Sequence, residues 1–192
     1  MSNIGVQNKE LAAISEQIEA LQKRRREIYS ESTGEVVQDY QFKNQDGTEI
    51  RLSELFGDRD ELIVVHNMGR RCTYCTLWAD GFNGLWKHVG NRAPFIVISP
   101  DEPDIQCEFA NSRGWTFPMA SCAGSTFTKD MNMEEATGEF WPGISTFTKA
   151  QDGTIRRHAY SYLGAGDPFC SAWHMFDMLP AGENDWSPKY EY

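Results

Sequence analysis

The chain has 192 residues, of which 40% are hydrophobic and 24% charged, and its formal net charge is −10. This length suits one well-packed domain with short additions and does not favour two full domains. The negative charge argues against nucleic acid as a partner, because phosphate binding needs a basic surface.

The sequence predicts a cytoplasmic protein with no membrane partner. The N-terminal stretch MSNIGVQNKELAAIS is polar, so we expect no signal peptide. The strongest apolar run covers residues 62–65 and is far too short to span a bilayer. In a reducing cytoplasm, the five cysteines are not expected to form a disulfide framework.

A long helix over residues 7–30 is the first predicted element. Its apolar residues recur at roughly helical spacing among charged and amide side chains. They are Leu11, Ile14, Ile18, Leu21 and Ile28. A helix with so narrow an apolar stripe needs a surface to lie on. We therefore expect it to dock on the body of the protein or on a second subunit, and we predict a homodimer.

Alternating and β-branched runs predict the strands of the domain that follows. The predicted strands cover residues 40–42, 49–52, 62–65, 95–98, 144–148 and 154–160. The predicted helices cover one segment that begins at Cys72 and includes Val89, then residues 103–113 and 167–178. This order predicts an α/β sandwich around a mixed central sheet. The predicted parts are a helix and linker over 1–39, a domain over 40–180 and a tail over 181–192.

Two cysteines three residues apart, Cys72 and Cys75, stand between a predicted strand and a predicted helix. A helix N-terminus has unpaired N–H groups and a partial positive charge, and both stabilise a thiolate. Arg70 and Arg71 add positive charge if their side chains turn inward. We therefore expect a lowered pKa at Cys72, which would attack as the thiolate, and Cys75 would resolve the mixed disulfide.

The residues alone leave three interpretations of this pair open: a redox-active dithiol, two inert buried thiols, or part of a metal site. A zinc site needs two more ligands, and the sequence has no second CxxC and no closely spaced histidine pair. His66, Cys107 and Cys122 are the obvious recruits, and their spacing is unspecific. We predict the redox-active dithiol, with no metal and no cofactor.

Other reactive side chains receive weaker predictions. Cys107 and Cys170 are expected to be small buried hydrophobic residues, and Cys122 is expected to be structural rather than a distant resolving thiol. Asp80 lies on the helix of the dithiol, two turns after Cys72. It would accept a proton in thiol exchange if buried, although we expect it to be solvated.

Several stretches resemble thioredoxin-like proteins, peroxiredoxins included. LIVVHNMGRRCTYC resembles the strand, loop and cysteine-bearing helix of that fold. FIVISPDEPDIQCEFANSRGWTFPMAS resembles a peroxiredoxin stretch of strand, helix and aromatic-proline segment. GISTFTKAQDGTI resembles the thioredoxin stretch that leads into the closing hairpin. The resemblance implies a thioredoxin-like sandwich with a mixed central sheet and, here, a long N-terminal helix.

A narrower resemblance covers nearly the whole chain. The motifs KELAAISEQIEALQKRRRE, DYQF, LSELF, CTYCTLWADG, GWTFPMAS, PGIST and YSYLGAGD are similar to a bacterial thioredoxin-like family of unknown function. Its members are commonly labelled predicted dithiol-disulfide oxidoreductases. That label implies a disulfide substrate and an external thiol reductant, with Cys72 and Cys75 as the catalytic pair.

The sequence departs from the related families at three positions. Ser145 stands where thioredoxins carry the cis-proline that faces the dithiol. Gly69 stands where a peroxiredoxin would have a threonine, three residues before the peroxidatic cysteine. Arg156 or Arg157 is available as the peroxiredoxin arginine, although we expect both to face solvent.

We therefore predict a thiol-disulfide oxidoreductase that cycles Cys72 and Cys75. The alternatives are a thiol peroxidase of peroxiredoxin type, which acts on a peroxide, and a non-catalytic thioredoxin-like module for binding or dimerisation.

Overall fold

The computed structural model describes residues 8–192 and divides the chain into two units, Met1–Gly34 and Glu35–Tyr192. The first unit contains helix α1, Lys9–Glu31, which confirms the predicted helix, although residue 7 lies outside the described residues. Asn8 precedes α1 and its Oδ1 accepts the Glu10 N–H at 2.8 Å. This is the side-chain cap that a helix start favours.

The second unit contains, within the described residues, eight strands in one sheet and four helices, besides a 3-10 turn. The strands are β1 (Glu35–Val37), β2 (Gln41–Asn44), β3 (Glu49–Arg51), β4 (Glu61–His66), β5 (Phe95–Ser99), β6 (Met119–Ser121), β7 (Gly143–Lys149) and β8 (Ile155–Tyr162). The helices are α2 (Thr73–Arg92), α3 (Pro103–Arg113), α4 (Phe127–Asp130) and α5 (Ser171–Phe176), and the 3-10 turn is Glu54–Phe56.

The sheet is mixed, with the order β1-β8-β7-β4-β5-β6-β2-β3. The pairs β4–β5 and β5–β6 are parallel, and the other neighbours are antiparallel. β4 lies inside the sheet, paired with β5 and β7, and its side chains enter the packed cores on both faces, as a run of β-branched residues favours. The predicted α/β sandwich around a mixed sheet is confirmed.

Alternate side chains of the strands enter two separate cores. One face packs Val64, Ile98 and Phe147 with Phe56 and Phe127. The other face packs Val65 and Val97 with residues of α2, α3 and α5, among them Trp78, Ala110 and Trp173. Helix α2 therefore lies on the second face and begins just after β4, where the strand ends.

Three segments differ from the predicted elements. Residues 35–37, predicted as linker, form β1 and pair with residues 155–157 of β8. Helix α4 lies in the stretch predicted to be irregular, 120–142. The last helix is shorter than predicted because a turn precedes it: the carboxylate of Asp167 accepts the N–H of Phe169 at 2.6 Å, and Pro168 disfavours a helical Asp167.

No helix among residues 8–192 is both long and apolar enough to cross a membrane.

A substitution at Phe127 tests how much the packing of the first core stabilises the fold. Its ring is fully buried and lies 5.0 Å from the ring of Tyr40 and 4.9 Å from that of Phe42. We expect Phe127→Ala to lower the free energy of unfolding by about 3–5 kcal/mol, because it leaves a cavity among aromatic side chains. Urea denaturation measures this loss. Leu85→Ala, at a residue of α2 that is 53% exposed, is the control and should cost less than about 1 kcal/mol; equal losses would contradict the prediction.

Candidate dithiol active site

A tightly held loop connects β4 to α2 and delivers the first cysteine. Asn67 Oδ1 accepts the Gly69 N–H at 2.8 Å, and Asp101 Oδ2 accepts the Arg70 N–H at 2.6 Å. Gly69 has φ +96°, and a Cβ on it would come within 2.7 Å of the Asp101 carboxylate. The loop therefore requires glycine at position 69, both for its left-handed backbone and for the close approach of Asp101.

Cys72 is the residue that precedes the first turn of α2 and caps it. Its backbone is extended (φ −101°, ψ 107°), and its Sγ accepts the Cys75 N–H at 3.1 Å. The sulfur thus satisfies one of the free N–H groups of the helix start, the role that a serine or aspartate oxygen usually fills. The predicted position of the dithiol, after a strand and at the start of a helix, is confirmed.

The two thiols have opposite pKa shifts. A hydrogen bond from the Cys75 thiol is the largest cause that lowers the pKa of Cys72 to about 7, and backbone N–H groups of Cys75 and Tyr74 add to it, while burial opposes it. The same hydrogen bond, together with burial and the charge of Cys72, raises the pKa of Cys75. Cys72 is therefore the more acidic thiol of the pair, and Cys75 is the one that keeps its proton.

The two cysteines also differ in their exposure to solvent. Cys72 is half-buried, whereas Cys75 is 2% exposed and its Sγ accepts the Met68 N–H at 3.5 Å. Tyr74, between them in sequence, stacks on Trp173 with ring centroids 6.1 Å apart. A reagent from solvent thus meets the sulfur of Cys72 first, beside an aromatic surface.

The arginines before the dithiol do not take the expected part in the site. The side chains of Arg70 and Arg71 are exposed and do not turn inward. The causes that lower the pKa of Cys72 are hydrogen bonds and not guanidinium charges. The expectation that the arginines stabilise the thiolate is therefore corrected.

Asp80 is exposed, as expected, but it is not an isolated solvated carboxylate. Arg113 forms a salt bridge with it, and the Trp115 indole donates to its Oδ1 at 2.7 Å. These contacts link α2 to the end of α3. They direct the carboxylate to Arg113 and Trp115 rather than to the sulfur of Cys72.

Ser145 lies on the face of the sheet opposite the dithiol. It is fully buried, and its hydroxyl is 2.8 Å from Nε2 of His66, whose ring stacks on Phe127 in the first core. Burial, with the charge of Arg157 as a smaller cause, lowers the pKa of His66 to about 3, so its ring is neutral. The neighbour of Ser145, Ile144, is the residue of β7 that packs toward the dithiol core.

Arg157 is buried, which corrects the expectation that it faces solvent. Its guanidinium donates to the Met131 carbonyl at 2.8 Å and pairs with Glu35 at 3.0 Å. These bonds hold it on the side of the sheet where His66 lies. The guanidinium is thus committed to Met131 and Glu35, and Arg156 beside it is partly exposed.

The other three cysteines differ in burial. Burial raises the pKa of Cys122 to about 12 and also raises that of Cys170, while Cys107 is half-buried on α3 and accepts a weak bond from Asn111 at 3.5 Å. All five cysteines are free thiols in the structure. Among residues 8–192, no three metal-ligating side chains form a group that would hold an ion.

Sequence reasoning missed three residues that shape the site. Asp101 anchors the loop before Cys72, and Tyr190 donates its hydroxyl to the Arg70 carbonyl at 2.9 Å. Arg113 donates to the Tyr190 carbonyl at 2.6 Å. A glycine before two arginines indicates a tight loop, but no local pattern indicates which distant side chains hold it.

The fold is a thioredoxin-like α/β sandwich, and it is similar to the folds of solved peroxiredoxins. Peroxidoxin BcpB from Mycobacterium tuberculosis has 24% identity and a TM-score of 0.56 over 81% of this chain and 99% of its own. A mutant of peroxiredoxin Q from Xanthomonas campestris has 15% identity and a TM-score of 0.56 over 68% and 87%. A SCO1/SenC family lipoprotein from Bacillus anthracis has 19% identity and a TM-score of 0.51 over 72% and 91%.

The chain belongs to the family described as "Bacterial protein of unknown function (DUF899)", whose model matches residues 6–192. This confirms the resemblance that the sequence motifs indicate. A comparison with curated proteins finds no match. The family and the similar structures thus establish the fold, and they leave the activity to be argued from the site.

The pKa of Cys72 is open to measurement by alkylation. Because the thiolate is the reactive form, the rate of Cys72 alkylation by iodoacetamide should rise with pH around a midpoint near 7. In Cys75→Ala the thiol donor is lost, so the midpoint should move up toward the value of a free cysteine, about 8.5. Peptide mass spectrometry across pH assigns the rate to Cys72. Cys107→Ala is the control and should not move the midpoint; an unchanged midpoint in Cys75→Ala would contradict the prediction.

Proposed function

We propose that the protein is a thiol-disulfide oxidoreductase that cycles Cys72 and Cys75 between dithiol and disulfide. The observation that carries the proposal is the arrangement of the two cysteines: Cys72 Sγ caps α2 by accepting the Cys75 N–H at 3.1 Å and has a pKa lowered to about 7, and the buried side chain of Cys75 follows one turn later. A nucleophile with an adjacent proton donor is what disulfide exchange at neutral pH requires.

The cycle uses these two residues in sequence. The Cys72 thiolate attacks one sulfur of a substrate disulfide, which forms a mixed disulfide and releases the other sulfur as a thiolate. The charge that raises the pKa of Cys75 disappears when Cys72 becomes bonded, so the Cys75 thiol loses its proton more easily. Its sulfur then attacks Cys72, forms the Cys72–Cys75 disulfide and releases the second substrate thiol. An external thiol reductant returns both cysteines to the reduced form.

A thiol peroxidase is the second candidate, and the likeness of the fold to a peroxidoxin and a peroxiredoxin favours it. Here the Cys72 thiolate attacks a peroxide oxygen, which gives a sulfenic acid and an alcohol or water. Cys75 then displaces water and forms the same disulfide. Two observations weigh against this candidate: Gly69 stands in place of the peroxiredoxin threonine, and the guanidinium of Arg157 is bonded to the Met131 carbonyl and to Glu35.

Both candidates share a cellular setting. A CxxC pair that must be reduced after each turnover suits a cytoplasmic location, where thiol reductants are abundant. The proposed partners are a disulfide or peroxide substrate and an external thiol reductant. No partner nucleic acid or membrane enters the proposal.

Replacement of each cysteine separates a working dithiol from a bystander pair. Cys72→Ser should abolish turnover of a small disulfide, because it removes the attacking sulfur. Cys75→Ser should retain the first attack and accumulate one mixed disulfide per chain at Cys72, detectable by mass spectrometry under non-reducing conditions. Cys107→Ser is the control and should turn over normally.

The same variants decide between the candidates. Wild-type turnover of disulfides with slow reaction toward hydrogen peroxide supports disulfide exchange, whereas a fast reaction with peroxide supports the peroxidase. A wild-type protein whose Cys72 reacts with neither substrate would contradict both candidates and leave the non-catalytic module.

We also propose that the protein is a homodimer through α1. Support comes from the helix itself, in which no residue is buried and the five apolar residues of the stripe are 44–70% exposed. Its first half carries three acidic residues and one basic residue (Glu10, Glu16, Glu19; Lys9), and its second half carries four basic residues and two acidic residues (Lys23, Arg24, Arg25, Arg26; Glu27, Glu31). Two antiparallel copies would bury the stripe and set opposite charges against each other.

Ile18→Glu tests the dimer because Ile18 lies in the middle of the stripe. We expect the mass from light scattering to fall from two chains to one, since a charge at the centre of an apolar interface is not paired. Gln17→Glu adds the same charge at the neighbouring position off the stripe and should leave the dimer intact. A wild-type monomer would contradict the proposal.

A further inference from the structure

The C-terminal segment, residues 186–192, is bound beside the dithiol. The Tyr190 hydroxyl donates to the carbonyl of Arg70 at 2.9 Å, two residues before Cys72. The Tyr190 ring meets Phe109 of α3 edge-on, with centroids 6.2 Å apart. The last residues of the chain therefore contact the loop that carries the nucleophile.

A second bond holds the same residue from α3. Arg113 donates to the backbone carbonyl of Tyr190 at 2.6 Å while its guanidinium pairs with Asp80 of α2. Tyr190 is thus attached at its side chain to the loop before Cys72 and at its backbone to α3. Asp80 takes part indirectly, because it orients the arginine that holds the segment.

Aromatic contacts attach the rest of the C-terminal segment to the residues around the dithiol. Trp186 packs against Trp173 at 5.8 Å and Phe176 at 5.0 Å, and Trp173 is the ring on which Tyr74 of the dithiol stacks. Tyr192 stacks on Trp186, with ring planes 2° apart. The segment and the residue between the two cysteines therefore share one aromatic cluster.

The phenol of Tyr190 lies within electrostatic reach of the reactive sulfur. Burial is the largest cause that raises the pKa of Tyr190, and the charges of Cys72 and Cys75 add to it. The side chain is also 37% exposed, so water competes for its hydrogen bond to Arg70. The contact therefore lies two residues before Cys72, and a single exposed hydrogen bond of this kind is weak enough to open.

We propose that the C-terminal segment forms one wall of the approach to Cys72, and that Tyr190 and Arg113 determine specificity by limiting the size of the substrate that reaches the sulfur. The inference rests on the proposed function, since it concerns the attack by Cys72. With the Tyr190 hydroxyl bound to the loop, a small disulfide or peroxide reaches the sulfur past the segment. A bulky disulfide reacts after the hydroxyl releases the Arg70 carbonyl and the segment moves aside.

Tyr190→Phe isolates this effect because it removes the hydroxyl and keeps the ring. In the full chain, the loss of free Cys72 thiol is timed by peptide mass spectrometry with methyl methanethiosulfonate, which is small, and with dithiodipyridine, which is bulky and aromatic. We expect the rate with dithiodipyridine to rise about fivefold, the change that loss of one ordinary hydrogen bond predicts. The rate with methyl methanethiosulfonate and the alkylation midpoint near pH 7 should stay the same.

Tyr162→Phe is the matched control. The Tyr162 hydroxyl also donates to a backbone carbonyl, that of Asn132 at 3.0 Å, and its side chain is similarly exposed at 45%. This variant should change neither rate.

Other results separate the inference from the function on which it rests. If Tyr190→Phe changes the rates with both reagents equally, or changes neither rate, the proposal that the C-terminal segment limits substrate size is wrong. The proposed dithiol mechanism is not affected by that result. A wild-type Cys72 that reacts with neither reagent faster than Cys107 would overturn the proposed function, and the inference with it.

Discussion

The hydrogen bond from the Cys75 N–H to the sulfur of Cys72 is the contact on which the site depends. It makes the reactive group the cap of α2, so the sulfur is fixed at the positive end of the helix as soon as the helix forms. The side chain of Cys75 lies in the second core, on the face of the sheet that α2 covers. Because one sulfur is capped and half-buried and the other is enclosed, two chemically identical side chains acquire different acidities. The loop contacts of Asn67 and Asp101 serve this one placement.

The sheet separates this chemistry from a second polar group in the interior. His66 and Ser145 are bonded to each other on the far face, among the aromatic residues of the first core. A neutral imidazole so enclosed contributes packing and one hydrogen bond, whereas its Nδ1 has no partner among the described residues. At the end of β4, the side chain of His66 therefore lies on one face of the sheet, and the loop that follows places Cys72 on the other face. Period-two alternation along a strand is enough to keep the two groups apart.

Much of the fold and the position of the dithiol follow from local patterns. The β-branched runs predict β4, β5 and β7 because strands buried on both faces have few other compositions, and a CxxC after such a strand predicts the capped helix. β1 has three residues, which are too few to show the hydrophobic alternation that predicts a strand. Arg157 was expected in solvent because charges usually lie there, and its burial depends on Glu35 and a carbonyl far along the chain. The bond between Tyr190 and Arg70 spans 120 positions and exists only after the chain has packed.

Under the proposed cycle the Cys72 sulfur is both electron donor and helix cap, so oxidation also changes the start of α2. A disulfide between Cys72 and Cys75 takes the thiolate away from the N–H it satisfies, and a cap of this kind stabilises a helix by about 1 kcal/mol. The first turn of α2 is then expected to fray more readily in the oxidised protein than in the reduced one. Under the proposed cycle, a substrate or reductant that docks at that turn would meet a less ordered backbone in the oxidised protein than in the reduced one.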